Sequence, residues 1–166
     1  MNELLEFSWP YGGGGFSFDI GGQMRGGEFE RQLFVAEVKK YRNESNLPTH
    51  FRDFLAKCYV ALLTKRSRCD HMMWISWAPF QAKKWDQHAT PESIKRAILD
   101  RKTEVFGCDT EQEAIGKIDQ EVLVETSKRI WLITLCEKQE RLVISDDHLD
   151  QLATIMSQEG RRLNRA

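Results

Sequence analysis

Alternation marks the first patterned stretch of the chain. In 16–20, Phe16, Phe18 and Ile20 alternate with Ser17 and Asp19, the period-2 signature of a half-buried strand. The glycine-rich segment 21–27 predicts a turn or bulge, and 28–41 a second, longer strand closing a hairpin. Within that strand Phe34, Ala36 and Val38 share an apolar face, while Glu37 and Lys39 stand two apart on the other face. Thr49 predicts an N-cap. After it Phe51, Phe54, Leu55, Cys58 and Leu62 recur at helical spacing to about residue 65. An apolar run over 71–79, closed by Pro79, predicts a buried strand.

Thr90-Pro91-Glu92 predicts a helix start, with proline at the first helical position and an acid near the positive end of the dipole; that helix is expected to run to about 105. Thr110 and Glu113 form a capping box for a helix over roughly 111–125. Segments 129–135 and 141–145 read as strands joined by a polar turn. A last helix opens at Ser145, Asp146 and Asp147 and closes at Gly160. A hairpin followed by a helical crossover into a buried strand indicates a mixed α/β sheet covered by helices. Residues 1–15, ending in four consecutive glycines, read as an N-terminal arm or linker, and 16–166 as a single domain.

Composition narrows the class. At 166 residues, with 41% hydrophobic and 30% charged residues, the chain has enough apolar material for a packed core and is not of the disordered type. A net charge of −1 argues against a uniformly basic nucleic-acid binder, yet Lys and Arg bunch at 39–42 and 65–68, so a basic face can hide in a neutral total. Of the four cysteines none forms a C-x-x-C pair; Cys58 and Cys136 read as buried thiols, and a zinc set of Cys69, His71 and Cys108 lacks paired ligand spacing. The opening residues have no signal-peptide core and no apolar run approaches the roughly 18 residues of a membrane span, so the expected compartment is the cytoplasm, with no membrane partner. The glycine clusters lack a following G-K-[ST], which excludes a P-loop. Trp74 and Trp131 read as core, and Trp85, between basic residues, as a candidate for stacking on a base.

The chemistry lies on the polar strand faces. If the two strands pair, Asp19 and Glu37 converge, and two ionised carboxylates a few ångströms apart repel. A divalent cation relieves that repulsion; oxygen ligands suit Mg²⁺ or Mn²⁺, which complete their shell with water and phosphate oxygens. Lys39 then points at the same spot. Glu37 and Lys39 alone would also describe a solvated strand face carrying an ion pair. The upstream Asp19 is what favours a site.

The segments "FSFDIGG" and "FVAEVKKY" together resemble the D…E-x-K core of the PD-(D/E)XK nuclease superfamily, over about residues 16–78. Phe18 stands where that pattern has proline. The resemblance implies a restriction-endonuclease-like α/β fold, a mixed central sheet flanked by helices. It implies that Asp19 and Glu37 bind the metal through their carboxylates and Val38 through its backbone carbonyl, with Asp19, Glu37 and Lys39 catalytic. Glu3, Glu6 and Glu30 are candidates for a further metal carboxylate. Asp100-Arg101-Lys102 also fits D-x-K, but on a predicted helix, where i and i+2 diverge. The expected activity is Mg²⁺-dependent (or Mn²⁺-dependent) endonucleolytic hydrolysis of DNA, in restriction, repair or phage defence. Lys40, Arg42, Lys65, Arg66 and Arg68 are expected to contact the DNA backbone. A homodimer or larger assembly suits duplex cleavage, and RNA ranks behind DNA as substrate. The alternative is a non-catalytic domain of the same fold that binds nucleic acid or protein.

Overall fold

The computed structural model describes residues 5–40, 47–77 and 87–135, together with Gln139, Asp150, Gln151, Ala153 and Thr154. The chain divides into two compact units, 1–134 and 135–166, and every element named here belongs to the first.

Glycine conformation shapes the entry to the fold. Gly12, Gly13 and Gly14 hold φ of 109°, 85° and 82°, a region side chains resist. The glycine run is therefore a tight turn, not the loose link expected for 1–15. It joins β1 (Glu6–Ser8) to β2 (Gly15–Ser17) as an antiparallel pair with Phe7 opposite Phe16. Phe7, Trp9, Phe16 and Phe18 are buried from this hairpin, and Phe18 meets Phe54 edge-on with ring centroids 6.3 Å apart.

The strand expected over 16–20 is cut in two. The Phe18 N–H donates to the Leu5 carbonyl, while the next N–H, that of Asp19, donates to the Ala36 carbonyl at 2.9 Å. The chain thus changes sheets between these residues. The second sheet begins with β3 (Ile20–Gln23), which runs antiparallel to β4 (Leu33–Lys39), Ile20 opposite Ala36. Gly21 and Gly22, expected in a turn, lie inside β3. The turn falls over 24–32 instead, closed by hydrogen bonds in both directions between Met24 and the pair Arg31 and Gln32, with a 3-10 turn at Gly27–Phe29.

A helical crossover follows. Helix α1 (Leu47–Lys65) starts two residues before the expected Thr49 cap and buries Phe51, Phe54, Leu55, Cys58 and Leu62, the residues its spacing singled out. It leads to β5 (His71–Ser76), parallel to β4, and β6 (Ile130–Thr134) lies parallel to β5. The sheet order is β3-β4-β5-β6, a mixed sheet flanked by helices. Trp74 of β5 is fully buried against Phe51 and Phe54 of α1, so the core sits between that face of the sheet and α1.

The expected long helices are each divided. Thr90 caps α2 (Pro91–Asp100) by accepting the Ser93 N–H, as its sequence predicts, but Arg101 leaves helical geometry and α3 (Lys102–Phe106) starts afresh. Thr110 caps α4 (Glu111–Ile115); Asp119 then accepts the N–H groups of Glu121 and Val122 and opens α5 (Gln120–Arg129). The expected strand 141–145 lies outside the described residues. Of the last expected helix, Asp150, Gln151, Ala153 and Thr154 are described and helical. Among the described residues no helix is long and apolar enough to cross a membrane.

Gly107 ends α3 with φ 64°, and a Cβ there would lie 2.7 Å from the Tyr11 ring. Gly107→Ala therefore meets both a left-handed backbone and a ring that must move. The expected loss is about 2 kcal/mol, read as a lowered midpoint in chemical denaturation.

Candidate active site

Strand alternation places Glu37 and Lys39 on one face of β4, the face that α1 covers. Glu37 is 7% exposed, so its carboxylate needs compensation. Lys39 supplies part of it: Nζ lies 2.7 Å from Glu37 Oε1 and 3.4 Å from Asp19 Oδ2. Asp19 reaches this point because it sits at the sheet change, one residue before β3 and across from Glu37. Its Oδ2 also accepts the Val38 N–H at 2.7 Å, so the backbone of β4 holds the carboxylate in place. The strand pairing expected from sequence is thus present, and both carboxylates converge on a single ammonium.

Burial works against the charge of Lys39. The hydrogen bond and charge of Glu37, with those of Asp19, outweigh it and hold the ammonium's pKa above the ordinary lysine value. A group raised in this way stays protonated throughout the neutral range.

Helix α1 adds what sequence reading missed. Lys57 Nζ lies 3.6 Å from Glu37 Oε2 and 3.5 Å from Asp53 Oδ2. Asp53 in turn meets Arg101 Nη2 at 2.5 Å, and Arg101 pairs with Glu104. Acid and base alternate along the chain Asp19–Lys39–Glu37–Lys57–Asp53–Arg101–Glu104. Arg101 also stacks over Trp9, 5.1 Å from its ring, so the chain is anchored on the β1–β2 hairpin. One sequence signal pointed here: Asp53 and Lys57 are spaced i, i+4 on a helix whose other positions are mostly buried. Glu37 Oε2 is buried and has no hydrogen-bond partner among the described residues; Lys57 faces it only as a charge.

Against known proteins the chain matches no family model, no curated protein and no solved structure.

The remaining candidates lie away from this point. Lys40, one residue past β4, sits with Nζ 5.3 Å from the Trp77 ring, on the strand face opposite Lys39. Lys65 donates to the Glu6 carbonyl and lies over the Phe7 ring, and Arg66, half exposed, pairs with Glu121 at 3.8 Å on the surface. Arg68 stands just before β5, whose first residue pairs with Phe34 near the start of β4. Lys40 and the 65–68 cluster thus flank opposite ends of β4, about 20 Å apart along the strand. Arg42 and Glu3 lie outside the described residues. Glu6 is exposed on β1 and Glu30 pairs with Arg25, so neither joins Glu37.

The zinc set is not assembled. His71 Nδ1 accepts the Trp131 indole N–H at 3.0 Å, and its other ring nitrogen meets Gln32 Oε1. Cys69 is buried, and that burial pushes its thiol up to about 12. Among the described residues no three His, Cys, Asp or Glu side chains gather closely enough to hold a metal ion. A cavity of about 600 Å³ lies against α1 and α2, lined by Phe51, Arg52, Leu55, His88 and Leu99 among others, and none of the alternating chain lines it.

Lys57 is only 15% exposed and stands between two acids. Lys57→Met leaves Glu37 Oε2 buried without its cation, and the expected cost is about 2 kcal/mol. Lys57→Arg should recover most of it, with urea denaturation as the measurement.

Proposed function

We propose that this chain is a restriction-endonuclease-like nuclease domain that hydrolyses DNA phosphodiester bonds with Mg²⁺ or Mn²⁺. The observation that carries the reading is the convergence of Asp19, at the entry to β3, and Glu37 of β4 on one cationic point. Two further features support it. The E-x-K segment lies on a strand, and the helix and parallel strand after it are in place.

The residues fit a hard divalent cation in donor type. Asp19 and Glu37 offer carboxylate oxygens and Val38 a carbonyl; with too few acids for a protein-only cage, water and a substrate phosphate would complete the shell. Such an ion, when bound, lowers the pKa of a water and offsets charge building on the phosphate. The chain's own residues do the rest. Glu37, fixed by its burial and by Lys57, cannot rotate freely. Asp19 is aimed by the Val38 N–H. Lys39, protonated at neutral pH, places a positive charge where phosphate oxygens or an attacking hydroxide gather charge. Lys40, one residue past β4, would hold the nucleic-acid backbone beside this end of the sheet. The restriction, repair or phage-defence setting, the cytoplasmic location and assembly as a homodimer or larger complex remain part of the same proposal.

A second reading is a non-catalytic nucleic-acid- or protein-binding module of this fold. It draws support from the alternating chain, in which each acid of the site is already shared with a base.

The decisive experiment incubates the protein with plasmid, linear and single-stranded DNA, and with RNA, with and without Mg²⁺ or Mn²⁺. Metal-dependent cutting of DNA is expected. Asp19→Asn and Lys39→Met are each expected to lower its rate by about 100-fold or more while circular dichroism stays unchanged. Binding without cutting would favour the module. Cutting that survives both substitutions would refute the assignment of the site.

A further inference from the structure

We propose that Lys39 is the resident counter-ion of this site, and that its ammonium and a divalent cation exclude each other between Asp19 and Glu37. The inference rests on the metal-nuclease reading and adds how the site is regulated.

The geometry is direct. Lys39 Nζ is the group that both carboxylates share, at 2.7 Å from Glu37 Oε1 and 3.4 Å from Asp19 Oδ2. An ion bound to the same two oxygens would place two or more positive charges within a few ångströms of that nitrogen, in a partly buried site where repulsion is poorly screened. That repulsion favours departure of the ammonium. Asp19, the other partner of the Lys39 ammonium, is 46% exposed, so this side of the site opens to solvent and gives the ammonium a way out. Glu37 does not lose all compensation when Lys39 moves, because Lys57 faces its other oxygen and is itself held by Asp53. Asp19 keeps the Val38 N–H. The carboxylates therefore stay roughly in place while the ammonium is displaced.

The consequence runs against the usual expectation for a residue of the machinery. Removing Lys39 should improve metal binding even as it abolishes cutting. It also gives the displaced ammonium a role: driven from the carboxylates, it is free to meet a phosphate.

The test measures Mn²⁺ affinity by calorimetry, without nucleic acid, for the wild-type chain, Lys39→Met and Lys39→Arg. Met keeps the length of the side chain and removes the charge. Lys39→Met should bind Mn²⁺ about tenfold more tightly than wild type, and Lys39→Arg within about threefold of it. Equal or weaker binding by Lys39→Met would overturn the counter-ion role and leave the nuclease reading standing. No Mn²⁺ binding by any of the three proteins would overturn both. A measurement on the unaltered chain guards against a variant that fails to fold: the Lys39 ammonium resonance, followed by ¹⁵N NMR, should shift on adding Mg²⁺ as its ion pairs break. A resonance that stays in place while Mg²⁺ binds would also sink the proposal.

Discussion

A single buried carboxylate organises this protein. Glu37 lies on the inner face of β4, where the neighbouring positions are Val35 and, across the ladder, Trp74, both fully buried. An ionised carboxylate in such a place is tolerated only with cations against it. The structure supplies two, from different elements: Lys39 from the same strand and Lys57 from α1. Each of these needs its own acid, and so the chain of charges extends to Asp19 on one side and to Asp53 and Arg101 on the other.

This arrangement ties chemistry to fold. Arg101 breaks the helical run between α2 and α3, and its guanidinium joins Asp53 to Glu104 and covers Trp9 of the hairpin. The Tyr11 N–H donates to the Glu104 carbonyl, which draws the same hairpin onto α3. The elements that hold the site are thus the elements that close the core. Much of the positive charge in the sequence is used in this way, Lys65 on the carbonyl of Glu6 being the clearest case. Counting lysines and arginines in a cluster says little about whether they face a ligand.

Several elements were legible because their signals are local. The i, i+3, i+4 spacing of Phe51, Phe54, Leu55 and Cys58 names the buried face of α1, and Thr90-Pro91 and Thr110 mark helix starts through hydrogen bonds made within one turn. The errors fall where backbone groups choose between distant partners. Alternation over 16–20 is genuine, yet Phe18 and Asp19 bond to different strands, and no property of either residue announces the change. Gly21 and Gly22 suit a turn by composition, but pairing with Val35 and Phe34 draws them into β3. The glycine run at 12–15 reads as flexible in isolation; closure of the β1–β2 pair turns its freedom into a set of positive φ angles.

By itself the sequence determined the helix faces, the caps at Thr90 and Thr110, the α/β class and the proximity of Glu37 to Lys39, since each depends on residues a few positions apart and on fixed backbone periods. Only the tertiary structure decided that Asp19 meets that pair, that Lys57 and Asp53 extend it, and that Lys40 and the 65–68 cluster lie at opposite ends of β4. Those facts depend on strand register and on how α1 lies across the sheet. Such contacts bring together residues as far apart in the chain as Asp19 and Lys39, or Asp53 and Arg101. Their energy comes from packing and charge compensation across the whole core, which no short window of residues contains.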